Sequence, residues 1–103
     1  MDPEIWHTYV GLAIAHCAAR NWEDAVVACR HTIRANPRFS LPHVLQAAAL
    51  SFLGRLEEAR VIARRVPELE PGFTVSGFVR AHTGRPEIWE PIGEALDRLG
   101  LPE

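Results

Sequence analysis

The chain has 103 residues, 48% of them hydrophobic, and a formal net charge of −2 from 11 basic and 13 acidic side chains. This length predicts one domain with a modest core, and the hydrophobic content argues against a disordered chain. The near-neutral charge removes the usual electrostatic basis for nucleic-acid binding, and no apolar run approaches the roughly 18 residues of a membrane span. We therefore predict neither a nucleic-acid partner nor a membrane partner.

Three features of the composition predict a bacterial protein of the cytoplasm. The first residues are acidic, whereas a signal peptide begins with basic ones. Cys17 and Cys29 are too few for a disulfide framework, so a reducing compartment is the default. Arginine is the only basic residue type apart from histidine, and alanine is abundant, which is typical of a GC-rich bacterial genome.

A sequence repeat organises the first two thirds of the chain. The segment 21–25 (Asn-Trp-Glu-Asp-Ala) corresponds to 55–59 (Arg-Leu-Glu-Glu-Ala), and Pro37 corresponds to Pro71 at the same offset. A fixed period of about 34 residues, as found here, is typical of stacked helical hairpins.

The first repeat, about 4–37, is predicted to be a helical hairpin. Asp2 and Pro3 are suited to start its first helix, and apolar residues at helical spacing follow them. Asn21 is the expected cap of the second helix, which Pro37 ends because the residue before a proline is pushed out of the helical region.

The second repeat, about 38–71, follows the same design. Ser40 is the expected cap of its first helix, and Gly54 supplies the left-handed position at the end of that helix. The return helix runs over 56–69. Pro67 lies near its end and is expected to kink it or end it early, because proline lacks a backbone donor.

The remaining residues, 72–103, are predicted to form a degenerate third unit with a capping helix. Thr74 caps a short helix that reaches about Ala81, and Pro86 starts a final helix that reaches Leu99. Gly100 is the expected C-cap. No segment alternates between apolar and polar residues, so the predicted fold is one all-α domain, 1–103, of about six helices.

The repeat resembles the tetratricopeptide repeat (TPR). The first helix of that repeat carries a large residue, Leu, a small residue and an aromatic, and the second carries Ala, an aromatic, a small residue and a closing Pro. The matching positions here are Tyr9, Leu12, Ala13, His16, Ala25, Cys29, Thr32 and Pro37 in the first repeat, and His43, Gln46, Ala47, Leu50, Ala59, Ala63, Val66 and Pro71 in the second.

This resemblance implies an α-solenoid that acts as a non-catalytic protein–protein interaction module or scaffold, without a cofactor. The sequence departs from the family pattern where His16 stands for the aromatic and Gln46 for the Leu. Cys29 and Ala63 stand for the second aromatic.

The end of the chain carries a second resemblance. The last nine residues, Ala-Leu-Asp-Arg-Leu-Gly-Leu-Pro-Glu, are similar to the C-terminal ends of certain bacterial multidomain proteins. Those proteins join a class III adenylate or guanylate cyclase domain, or a winged-helix domain, to TPR repeats. The resemblance implies an alternative function, a regulatory C-terminal domain of a nucleotide-cyclase-type signalling protein. The chain has no catalytic constellation, so we do not expect an enzyme.

Residues with metal-binding or catalytic chemistry occur, but their spacing argues against a site. His16 and Cys17 are adjacent and therefore point about 100° apart on a helix. No pair has the close spacing of a zinc site, so no metal is expected. The acidic pairs at 23–24 and 57–58 fall in the first turns of the return helices, where carboxylates complement the helix dipole.

Arg60, Arg64 and Arg65 form the only basic cluster. Their helical spacing relative to Glu57 and Glu68 indicates a solvated face with weak ion pairs. A phosphate or nucleic-acid site is the alternative interpretation, which three arginines are too few to favour.

The resemblance to TPR proteins implies a concave binding face formed by the first helices. No basic clamp for a terminal carboxylate occurs there, and the face is apolar. Three alternatives would cover it: the chain's own final helix, a second copy in a homodimer, or an apolar peptide or helix of an unidentified partner. The candidate partner-binding residues are Val10, Ile14, Leu41, Val44, Leu45, Phe52 and Phe78.

Overall fold

The computed structural model describes residues 4–82 and 84–103, with side chains from Thr8 onward. The predicted helix start at Asp2 and Pro3 lies outside the described residues. Within that range the chain is mainly helical and contains no strand, as the sequence predicts. The described helices are α1 (Glu4–Ala18), α2 (Trp22–Ala35), α3 (Ser40–Phe52), α4 (Leu56–Leu69), α5 (Val75–Ala81) and α6 (Pro86–Arg98).

The period of the sequence is present in the geometry of the backbone. Helix α4 follows α2 by one repeat period at both ends, and α3 ends one period after α1. The turn inside each hairpin uses a left-handed residue at the same position, Arg20 with φ 61° and Gly54 with φ 78°. The two hairpins, α1–α2 and α3–α4, are therefore two copies of one local structure.

The hydrogen bonds of these turns repeat as well. The amide of Arg20 donates to the carbonyl of Cys17 at 3.1 Å, and the amide of Gly54 donates to that of Ser51 at 3.0 Å. The next residue in each turn donates five residues back, at 2.8 Å in the first hairpin and 2.9 Å in the second. These paired bonds satisfy the carbonyls that a helix end leaves without partners.

Small residues lie where the helices of each hairpin approach each other. Ala13 and Ala25 in the first hairpin, and Ala47 and Ala59 in the second, are all fully buried. Helix α1 packs on α2, α2 on α3, and α3 on α4. An alanine places only a methyl group between two backbones, so these helices pack closely, and a larger side chain would overpack them.

Helix α3 is the centre of the molecule. Every residue from Pro42 to Leu50 is buried, because α3 contacts α1, α2, α4 and α6. Its buried apolar side chains make it the core element around which the two hairpins and the C-terminal helices assemble.

The final helix packs back on the first helices. Helix α6 lies against α3 and α5 and touches α1, and it buries Ile88, Ile92 and Leu96. Helix α6 thus lies against the first helices, as one of the three alternatives for covering them expects. The exposed side of α6 carries Glu90 and Glu94.

Helix α6 also has the local geometry of α3. Both helices have 13 residues, and Pro86 stands at the start of α6 where Ser40 stands at the start of α3. Each is followed by a left-handed glycine, Gly54 or Gly100, the latter with φ 86°. Within the predicted third unit, the turn geometry therefore relates α6 to α1 and α3.

The predicted caps are met in part. Thr74 caps α5, because its Oγ1 accepts a hydrogen bond from the amide of Gly77 at 3.1 Å. Asn21 stands at the predicted N-cap position of α2, whereas the prediction for Ser40 is wrong. The side chain of Asn21 makes no cap hydrogen bond, and Ser40 is already helical, with Phe39 as the cap residue. The hydroxyl of Ser40 instead donates to Oε1 of Glu70 at 2.8 Å.

Pro67 does not end α4 early, in contrast to one of the two outcomes expected from the sequence. The helix continues to Leu69, and the amide of Glu70 still donates to the carbonyl of Val66 at 2.9 Å. Val66 is fully buried, so tertiary packing holds the last turn in spite of the missing donor. Local propensity is a weak influence by comparison.

Candidate binding cavity

A cavity of about 380 Å³ opens between the start of α3 and the short helix α5. We call it the α3–α5 cavity. Apolar side chains dominate its lining, with a few polar groups at its edge, as is usual for a binding pocket. The lining residues are Phe39, Ser40, Leu41, Val44, Glu70, Gly72, Phe73, Thr74, Gly77, Phe78, Ala81 and His82.

Contacting aromatic rings form one wall of the α3–α5 cavity. The ring of Phe78 lies 5.9 Å from that of Phe73 and 4.6 Å from that of His82, between centroids. Trp89 of α6 supports this wall, because its ring meets Phe78 edge-on at 5.7 Å and His82 at 4.3 Å. Such ring pairs add to the free energy of burial, so the wall is held in place without a ligand.

The polar edge of the cavity is also ordered. The hydrogen bond from Ser40 to Glu70 joins the start of α3 to the end of α4. Nδ1 of His82 donates to the carbonyl oxygen of Phe78 at 2.8 Å, since a carbonyl only accepts. In its neutral form His82 therefore keeps Nε2 as a hydrogen-bond acceptor.

The structure brings three of the seven predicted binding residues together. Leu41, Val44 and Phe78 all line the α3–α5 cavity, although Leu41 and Phe78 belong to different units of the chain. Leu41 and Phe78 are half-buried, and Val44 is 1% exposed. The cavity is therefore the place where these three predicted groove residues meet.

The other four predicted residues do not line this cavity. Leu45 is fully buried in the core and presents no surface to a partner. Ile14 packs against the core from α1, and Val10 is half-buried on the same helix. Phe52 lies at the far end of α3, where its ring stacks on Trp22 at 4.4 Å between centroids.

Sequence reasoning did not single out Phe39 and Phe73 as lining residues. They are one repeat period apart, each two residues after the closing proline of its repeat. The amide of Phe39 donates to the carbonyl of Asn36 at 3.2 Å, and the amide of Phe73 donates to that of Glu70 at 2.9 Å, so the two turns are equivalent. The repeat itself, extended past the prolines, would have identified both phenylalanines.

The cysteines are buried thiols rather than reactive groups. Burial raises the pKa of Cys17 to about 12. Burial also raises the pKa of Cys29, and the nearby Cys17 adds to that shift. A thiol that stays protonated is a poor nucleophile, so neither side chain supports covalent catalysis.

Among the described residues, His, Cys, Asp and Glu form no group of three or more that could hold a metal ion. Within the same residues, no helix has the length and apolar character needed to cross a membrane.

Comparison of the chain with protein-family models, with curated proteins and with solved structures gives no match in any of the three.

Proposed function

We propose that the chain is a TPR-type, non-catalytic interaction module that binds a peptide segment of another protein in the α3–α5 cavity. It would act in a bacterial cytoplasm, where Cys17 and Cys29, which are both free, stay reduced. The two hairpins related by the repeat support the solenoid assignment, because their turns, hydrogen bonds and buried alanines coincide position by position.

The observation that carries the proposal is the lining of the cavity. Leu41 and Phe78 are half-buried and apolar, and they face one opening together with Phe39 and Phe73. Concave apolar surfaces with a few polar groups at the edge suit one large apolar side chain of a peptide, with backbone groups bonding at the rim. Ser40, Glu70 and His82 supply polar groups of that kind.

The size of the cavity favours an aromatic or large aliphatic anchor residue. An anchor that fills a preformed pocket contributes most of the binding energy in many interfaces, while its neighbours exclude water. The aromatic wall of Phe73, Phe78 and His82 offers ring faces and edges for a further aromatic contact.

A display experiment with random peptides tests this function. Phage-displayed peptides are selected on the folded chain, and one enriched peptide is synthesised with a dye. We expect enriched sequences to share one aromatic or large aliphatic position. Leu41→Glu should weaken binding by roughly tenfold or more, because it places a charge in a desolvated contact.

Position 41 suits this test, because it lies in the first turn of α3. A carboxylate there complements the helix dipole, so helicity should persist in the variant. Val61→Glu is the matched control. Val61 is 61% exposed on α4 and is outside the cavity lining. Enriched peptides that bind Leu41→Glu as tightly as the wild-type chain, or no enrichment at all, would contradict the proposal.

A further inference from the structure

A second surface of the molecule combines positive charge with apolar cavities. Two adjoining cavities, of about 410 and 390 Å³, lie between α4 and the turn that follows α6. Arg60 and Leu99 line both of them, so the two cavities share a border. Arg64 lines the first and Arg98 the second. We call this region the arginine surface. It shares no residue with the α3–α5 cavity.

The three arginines of this surface make no ion pair with another described residue. Some arginines of the chain are paired, such as Arg55 with Glu58 at 2.9 Å and Arg65 with Glu68 at 2.7 Å, while others, such as Arg34 and Arg38, make no ion pair with a described residue. Among the described residues, no carboxylate lies within 4.0 Å of Arg60, Arg64 or Arg98. A partner that brings carboxylates to them displaces no existing ion pair.

Apolar side chains line both cavities together with these arginines. Leu99 and Leu101 line the first cavity with Ala63 and Pro67, and Leu56, which is 44% exposed, lines the second with Phe52. A ligand that fits must therefore carry anionic groups next to an apolar side chain. Acidic peptides with interspersed leucine-type residues have this chemistry.

We propose that the arginine surface binds an acidic, leucine-containing peptide segment, with carboxylates on Arg60, Arg64 and Arg98 and an apolar side chain over Leu99. Nucleic acid suits the surface less well. Three arginines neutralise few phosphates, and the chain as a whole carries a net charge of −2. This inference does not depend on the function proposed for the α3–α5 cavity.

The probe is a dye-labelled, end-blocked peptide that alternates glutamate with leucine, titrated into the wild-type chain at low salt. A peptide of the same design with glutamine for glutamate is the uncharged control. We expect only the acidic peptide to bind. Its affinity should fall as salt is raised, since salt screens exposed charge pairs.

The variant that tests the assignment is the double substitution Arg60→Gln, Arg64→Gln. Loss of two exposed charge pairs should weaken binding by roughly tenfold. The double variant Arg34→Gln, Arg38→Gln removes the same charge from residues that line neither cavity and should bind as the wild-type chain does. Circular dichroism of both variants checks that the fold persists.

Several results would overturn the proposal. One is failure of the acidic peptide to bind; another is an equal loss of affinity in both double variants, which would indicate general attraction by charge. Competition by a single-stranded oligonucleotide at a lower concentration than the peptide would assign the surface to nucleic acid. A wild-type dimer in sedimentation that Arg60→Gln, Arg64→Gln dissociates would assign the surface to a second copy of the chain.

Discussion

Nε2 of His43 donates a hydrogen bond of 3.2 Å to the carbonyl oxygen of Pro37. This bond ties the loop between the two repeats to the buried helix α3, because His43 is 5% exposed. The residues that follow Pro37 contribute Phe39 and Ser40 to the α3–α5 cavity.

The buried imidazole makes stability depend on pH. Burial lowers the pKa of His43 below its ordinary value of 6.5, the bond to Pro37 opposes this, and the positive charge of Arg65 lowers the pKa further. The unfolded chain therefore takes up a proton at a higher pH than the folded chain. The stability that the neutral, buried imidazole of His43 contributes is complete above pH 6.5. It is lost as the pH falls from 6.5 through the pKa of His43 in the folded chain.

Urea unfolding at pH 7.5, 6.5 and 5.5 measures this effect. We expect the free energy of unfolding to fall over this range, by at most about 1.4 kcal/mol per pH unit for one group. His43→Gln keeps an N–H donor for Pro37 and cannot titrate, so its stability should change less over the same range. Parallel curves for the wild-type chain and His43→Gln would show that His43 is not the responsible group.

The hairpin turns predict substitutions of opposite sign. Arg20 holds φ at 61°, a conformation that costs a side chain with Cβ about 1–2 kcal/mol. Arg20→Gly should stabilise the chain by about 0.5–1 kcal/mol, after the larger entropy of glycine in the unfolded chain is subtracted. Gly54→Ala at the equivalent position should destabilise it. Thermal unfolding of both variants checks this, and a lower midpoint for Arg20→Gly would contradict the shared turn.

Gly93 and Gly11 form a second matched pair. A Cβ at Gly93 would lie 2.6 Å from Cγ2 of Val79, so α5 approaches α6 at this glycine. Gly93→Ala should therefore cost about 1–3 kcal/mol by overpacking. A Cβ at Gly11 meets nothing within 4 Å, so Gly11→Ala in α1 should stabilise by about 0.5–1 kcal/mol through helix propensity. Equal effects in denaturant unfolding would count against the packing of α5 on α6.

The cysteines should react slowly with a thiol reagent under native conditions. Both are buried, and burial raises both pKa values, so little thiolate is exposed to attack. Ala18→Cys, at an exposed position of α1, is the control and should react at the rate of a free thiol. Modification of Cys29 at the control rate, with the fold intact by circular dichroism, would contradict its assignment to the buried core.

Much of the fold follows from the sequence, because the repeat relates each position of one hairpin to a position of the other. Pro37 and Pro71 mark the ends of the two repeats. Gly54 marks the left-handed turn position, a conformation that Arg20 adopts less readily at the equivalent position. The caps were harder to predict. Ser40 and Asn21 are suited to capping by type, yet the choice between a cap and a tertiary partner depends on contacts such as Ser40 with Glu70.

The helix of the third unit that shares the geometry of α3 does not keep the 34-residue period. A copy of α3 placed one period later would begin at Thr74, whereas α6 begins at Pro86, since α5 and its flanking turns are inserted before it. At the offset that relates Pro86 to Ser40, Trp89 and Ile92 follow the spacing of His43 and Gln46. The fixed period of 34 residues therefore does not locate such a copy.

The candidate site was predictable only in outline. The sequence predicts that Leu41, Val44 and Phe78 lie on one binding face, and all three line the α3–α5 cavity. The sequence could not distinguish them from Leu45, which has the same chemistry and follows Val44 directly on α3. Its burial depends on how neighbouring helices cover that helix.

Methyl NMR of the chain titrated with a peptide selected as described above is the decisive test of binding in the α3–α5 cavity. We predict that the methyl signals of Leu41 and Val44 shift on binding, while those of Val27 and Val61, exposed on α2 and α4, do not. Saturable binding that leaves the signals of Leu41 and Val44 unchanged would contradict peptide binding at this site, because the peptide would then occupy a surface other than the α3–α5 cavity.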